Sequence, residues 1–95
     1  MSLAARTEKR ERFKIDLSGV FMRRSNLSGA DLEGANFSRA DCANSNFRGA
    51  NLRDVNFDGT NLKGADLTDA RNLTRAQIQR AIIDERTILP AELAE

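Results

Sequence analysis

From Leu17 onward every fifth residue is apolar: Leu17, Met22, Leu27, Leu32, Phe37, Cys42, Phe47, Leu52, Phe57, Leu62 and Leu67. Two residues before each of these centres stands a small or β-branched residue: Ile15, Val20, Ser25, Ala30, Ala35, Ala40, Ser45, Ala50, Val55, Thr60 and Ala65. The residue between the two is Asp or Asn in every unit except one, where Phe21 takes its place. Gly follows two residues after the centre at Gly19, Gly29, Gly34, Gly49, Gly59 and Gly64.

A period of five matches neither the 3.6 of a helix nor the 2 of a strand. Within one unit the pattern in, out, in describes a very short strand. The next two residues, polar or Gly, make a turn that wants a small side chain or a positive φ. Strand and turn repeated in this way give an all-β solenoid. If four units close one coil, residues twenty apart stack at the β-ladder spacing of about 4.8 Å. The stacks are then Leu17-Phe37-Phe57, Met22-Cys42-Leu62, Leu27-Phe47-Leu67 and Leu32-Leu52. Phe37 and Phe47 fill the middle coil, and the small companion residues keep the tube narrow enough to pack without a void. Leucine-rich repeats are excluded by their longer period of 20–29 residues, and calcium-binding β-rolls by their nine-residue period.

The eleven consecutive units from Ile15 to Asp69 resemble the pentapeptide-repeat family, whose motif is A-(D/N)-(L/F)-x-x. The resemblance implies a right-handed quadrilateral β-helix, here of about 2.75 coils. Handedness and the number of sides come from the resemblance, because periodicity alone shows only a solenoid. Phe21 departs from the motif, and Ile15, Val20 and Val55 are bulkier than its Ala. The run 84–90, DERTILP, is similar to the C-terminal tail of many members.

The period breaks at Asn72, and the residues after it predict a C-terminal capping α-helix. Thr74 is the N-cap and Gln77 completes a capping box, while Leu73 and Ile78 form a hydrophobic staple. Ile78, Ala81 and Ile82 are expected to share one face across the last coil, with the helix ending near Asp84. The chain thus divides into a charged N-terminal segment 1–14, disordered or a partial cap, the repeat β-helix 15–71, and the helical cap and extended tail 72–95.

Composition narrows the function. Without His there is no Ser-His or Cys-His pair. The single Cys42 sits at a core centre, as a buried small hydrophobe rather than a reactive thiol. The Asp/Asn row reads as short side chains bonding local backbone around the turns. No catalytic, cofactor or metal residues are assigned, and no enzyme activity is expected. No apolar run approaches the ~18 residues of a membrane span, and the start lacks the apolar stretch of a secretion signal. A cytoplasmic protein without a membrane partner is therefore expected.

The expected role is a rigid protein-interaction or scaffold module, since solenoids offer preformed faces that dock at little ordering cost. The resemblance implies an alternative, because some members mimic DNA and bind gyrase. Duplex DNA carries one charge per ~1.7 Å, so a solenoid about 13 Å long would need roughly eight net negative charges. Residues 15–69 hold six basic and eight acidic groups, which disfavours both the mimic and a nucleic-acid partner.

Two surfaces draw attention. Arg23, Arg24 and Lys63 share one side and suit an acidic protein partner. The first coil is the most apolar, with Ile15, Val20 and the misplaced Phe21, and no helix precedes it to match the one at the other end. Phe13 and its flanks, an upstream domain or a second copy could cover it, and a homodimer through this N-terminal end is the favoured expectation. Glu33 and Arg53, twenty residues apart, are expected to form an exposed ion pair.

Overall fold

The structure is a computed structural model and describes residues 15–94. The charged segment 1–14, with Phe13, and Glu95 lie outside the described residues.

Each unit folds through its own Asp or Asn. Asn36 Oδ1 accepts from the Ser38 N–H at 2.9 Å, Asn56 Oδ1 from Asp58 at 2.9 Å and Asn61 Oδ1 from Lys63 at 3.0 Å. The same bond recurs in every unit that has an Asx residue at this place. A turn then closes from the centre carbonyl to the N–H three residues on, as from Phe37 O to Ala40 N at 2.9 Å. The third turn residue always has a positive φ. Gly supplies it at Gly64, where an added Cβ would run into Asn44 Oδ1. Arg24, Arg39, Asn44, Asp54 and Asp69 adopt it too, each at φ 59–61°.

Parallel β-bridges then join residues twenty apart in four columns, starting Asp16–Asn36, Phe21–Asp41, Asn26–Asn46 and Asp31–Asn51. Four units therefore make one coil, and the Asx residues stack on one another along the outside. Asn36 shows the rule: its N–H donates to Ile15 O at 2.8 Å, and its carbonyl accepts from Leu17 N at 2.8 Å. The turns stack as well, with Gly19 N donating to Ser38 O at 2.9 Å.

The core fills the tube. Leu32, Phe37, Cys42, Phe47, Leu52, Phe57, Leu62 and Leu67 are buried, with Ala35, Ala40, Ala50 and Ala65 as their small companions. Phe37 meets Phe47 edge-on at 5.9 Å and Phe57 at 5.8 Å between ring centroids. The buried Thr60 hydroxyl donates to Phe37 O at 2.6 Å, so its polarity is satisfied inside the stack. Leu17, Met22 and Leu27, expected in the same core, are only half-buried. They belong to the first coil, which among the described residues has another coil on one side only, although Leu32 at its end is buried.

At the other end the ladder changes partners. Helix α1 spans Arg75–Arg80 and stops short of the expected Asp84. Ala81 turns extended, and Ile82 N donates to Thr60 O at 2.8 Å while Ile82 O accepts from Leu62 N at 2.7 Å. A longer helix would strand those backbone groups of the third coil, and burying them unpaired is costly. Ile82 is therefore a ladder residue bridged to Asn61, 46 % exposed, and not part of the buried helix face. Ile88 likewise bridges Asp66. Leu73 and Ile78 are buried, Leu89 and Leu93 pack on the core, and Pro90 is fully enclosed before the short 3-10 turn Ala91–Leu93.

Side chains replace the strand partners that the helix displaces. Gln77 Oε1 accepts from Thr74 N at 2.7 Å, and Thr74 Oγ1 accepts from Gln77 N at 3.2 Å, so the capping box is formed. Gln77 Nε2 donates to Leu52 O at 2.9 Å and Val55 O at 3.0 Å. Asp84 Oδ1 accepts from Gly64 N at 3.1 Å, as a carbonyl of a further coil would. Burial alone would raise the Asp84 carboxyl; the Gly64 and Arg86 N–H donors, the Arg86 guanidinium and the Thr87 hydroxyl together hold it below the ordinary carboxylate range.

Candidate interaction site at the first coil

The unit that lacks an Asx residue is the one that folds least regularly. Phe21 has no side-chain acceptor, and among the described residues the Arg23 N–H has no partner. The turn from Met22 to Ser25 does not close through the backbone. Ser25 N donates instead to Ser45 Oγ at 3.1 Å, and the Ser25 hydroxyl donates to Met22 O at 2.8 Å. Phe21 thus removes the side-chain bond of this turn, while the Ser25 and Ser45 hydroxyls, both donating to Met22 O, accompany the loss of its backbone closure.

Phe21 is 73 % exposed, the most of any large apolar side chain described, and Ile15 and Val20 beside it are exposed as well. Its column continues through Asp41 and Asn61, both polar. Arg23 lies over the ring, 5.2 Å from the guanidinium carbon to the centroid, and its Nε donates to Asp41 Oδ2 at 2.9 Å. The ring is held in place from one side and open on the other.

Backbone groups at this end are also open. In every later coil the ladder residue turns both its N–H and its C=O toward the preceding coil, and its two neighbours in sequence bond the following one. In the first coil the N–H groups of Asp16, Phe21 and Asn26 face away from the second coil and have no partner among the described residues. The site is therefore a β-edge with an apolar rim, the usual template for adding a strand.

The basic pair Arg23 and Arg24 lies at the corner where Lys63 also lies, two coils further on, since Arg24 N donates to Ala43 O and Asn44 N to Lys63 O. Arg24 and Lys63 are exposed without an ion-pair partner among the described residues, whereas Arg23 is engaged by Asp41. Glu33 and Arg53 do not pair; Arg53 Nη2 donates to Asn72 Oδ1 at 3.1 Å. Arg23 and Arg48, each one residue past a centre, lean onto the Asx row of the next coil, eighteen residues on. Arg23–Asp41 and Arg48–Asp66 at 3.1 Å follow that rule, and the residue eighteen beyond Glu33 is Asn51, not a cation.

Other features offer less. A groove of about 280 Å³ beside α1 is lined by Val55, Asn56, Phe57, Asp58, Ala76, Gln77 and Arg80, and the Arg80–Asp58 ion pair at 3.1 Å lies on its rim. Burial, with help from the Asp41 carboxylate, pushes the Cys42 thiol up to about 12. Among the described residues no cluster of His, Cys, Asp or Glu could hold a metal ion, and no helix is long and apolar enough to cross a membrane.

Sequence reasoning singled out Phe21 but missed a second apolar group. Ile82, Ile83 and Ile88 are exposed on the coil that carries α1. Their signal was the ladder itself: Ile82 and Ile88 stand where the repeat would place Asn or Asp, hidden because the spacing there is 21 and 22 in place of twenty.

The comparisons agree with the repeat geometry. The family model for pentapeptide repeats matches residues 14–41, 35–71 and 45–85, with 8 copies. A pentapeptide repeat protein of the cyanobacterium Cyanothece 51142 is 29% identical with a TM-score of 0.71, over 81% of this chain and 52% of that one. The chain therefore spans about half the length of that protein. A pentapeptide repeat protein from Nostoc Pcc 7120 is 25% identical over 93% of this chain and 81% of that one, with a TM-score of 0.30. Comparison with curated proteins finds no match. With its β-helix solenoid and a repeat model matched over most of its length, this chain belongs to the pentapeptide-repeat family.

Proposed function

We propose that the chain is a non-enzymatic protein-interaction module, a rigid right-handed four-sided β-helix of about 2.75 coils over residues 15–71. Segment 72–95 acts as its cap, and the first coil is its docking end. The observation that supports this reading is Phe21. It replaces an Asx residue, gives up the side-chain bond of its turn and leaves a ring in water, at the edge where strand backbone groups also have no partner among the described residues. Departures from local consistency of this kind are expected where a surface serves binding rather than folding. The corner of Arg23, Arg24 and Lys63 adds positive charge beside it, which suits a protein partner with acidic groups near an apolar anchor.

The test is a quantitative capture experiment with tagged wild type and Phe21→Asp from the same cell extract. The reading predicts a protein bound by the wild type and reduced at least about tenfold by the substitution. The same set of proteins on both baits would contradict it.

A further inference from the structure

We infer that the partner of the first coil is the α1-bearing end of a second copy, so that copies stack head to tail and continue one ladder. The inference rests on the reading of the first coil as a docking end, and it names the occupant.

The two ends match in register. At the far end, the carbonyls of Ala81 and Thr87 and the N–H groups of Ile83 and Leu89 have no partner among the described residues. These groups flank Ile82 and Ile88, the last residues of the columns that begin at Phe21 and Asn26. Within the molecule, Ile82 N donates to Thr60 O and Ile82 O accepts from Leu62 N. Placed one ladder step further, Phe21 N of a second copy meets Ala81 O, and Ile83 N meets Phe21 O. Asn26 meets Thr87 O and Leu89 N in the same way. Two sides of the tube thereby gain the parallel pairing that every internal coil already has.

The side chains match as well. Along the outside of the Phe21 column the internal residues are Asp41 and Asn61, and the two ends are Phe21 and Ile82. Stacking two copies brings these exposed apolar residues together and covers Ile83 with them. At the adjoining corner the charges change sign, from Arg23 and Arg24 at the first coil to Asp84 and Glu85 at the last. Asp84 already has donors of its own in Gly64 and Arg86, so Glu85, exposed, is the open counter-charge. The contact joins two different surfaces and does not close on itself, so it propagates beyond a dimer.

Cysteine cross-linking of the purified protein tests the geometry. Stacked ladder residues have Cα atoms about 4.8 Å apart, within disulfide reach. Phe21→Cys and Ile82→Cys are made singly and mixed under mild oxidation; buried Cys42 does not compete. The inference predicts a mixed Phe21→Cys/Ile82→Cys disulfide, and in the wild type a mass that grows past dimer with concentration. Phe21→Asn, which restores the repeat residue and keeps the fold, is expected to weaken that growth at least about tenfold. A disulfide between two Phe21→Cys chains in preference to the mixed product would mean end-to-end pairing of first coils and overturn the stacking. A wild type that stays monomeric at high micromolar concentration would overturn self-association altogether. In that case a partner lost from the capture experiment with Phe21→Asp would still uphold the docking end itself.

Discussion

Phe21 and Cys42 occupy neighbouring coils of one corner, and each differs from what its place in the repeat usually holds. Phe21→Asn puts an acceptor back beside the unpaired Arg23 N–H, so the variant is expected to be more stable by about 0.5–1.5 kcal/mol. Thermal unfolding in dilute solution checks it, with a rise of several degrees expected for a chain of this size. Cys42 is buried with its thiol raised to about 12 from an ordinary value of 9.0. A group whose pKa is raised on folding contributes stability that is complete below its unfolded pKa and lost as pH rises through the folded one. Stability is thus expected to hold up to about pH 9 and to decline above it, and thiol reagents to modify Cys42 only as the chain unfolds. Denaturation across that range, beside Cys42→Ala, which lacks the thiol's share of the decline, is the measurement. The role of Cys42 as a core centre was legible from its place in the five-residue count. The lost turn bond at Phe21 was not, since it depends on which atom each Asx side chain bonds.

At the scale of elements, the helix and the strands compete for the last coil, and side chains settle the boundary. Thr74 and Gln77 were legible as a capping box because the motif is local. The helix end was not, because it is set by the Thr60 carbonyl and the Leu62 N–H waiting in the third coil. A long-range demand of that sort leaves no mark on the helical periodicity of 78–82. Gln77 shows the coupling most clearly: one amide caps α1, stands in for a missing strand at Val55 O and also bonds the turn carbonyl Leu52 O. Gln77→Ala is therefore expected to cost about 1–3 kcal/mol, more than loss of the cap alone. Thr74→Ala, which removes only the cap bond, is expected to cost about 1 kcal/mol. Chemical denaturation of both variants checks the order; equal losses would assign Gln77 to the cap alone.

For the whole molecule, the five-residue period made the stack readable from the sequence, because each column draws on one residue in twenty. The gradient of burial from half-covered Leu17 to enclosed Phe37 reflects the finite number of coils and is invisible in a single unit. Phe37 touches both other core rings, so Phe37→Ala is expected to cost about 3–5 kcal/mol and to leave the chain largely unfolded, as read by far-ultraviolet circular dichroism. The central claim is that the first coil is an open docking end of the ladder. Amide hydrogen exchange at single-residue resolution tests it most directly. At low protein concentration the Phe21 and Asn26 amides are expected to exchange freely while Asp41, Asn46, Asn61 and Asp66 stay protected, and Phe21 and Asn26 to gain protection as partner binds. Phe21 and Asn26 amides as protected as Asp41 in the dilute, isolated protein would show the end already covered and contradict the account.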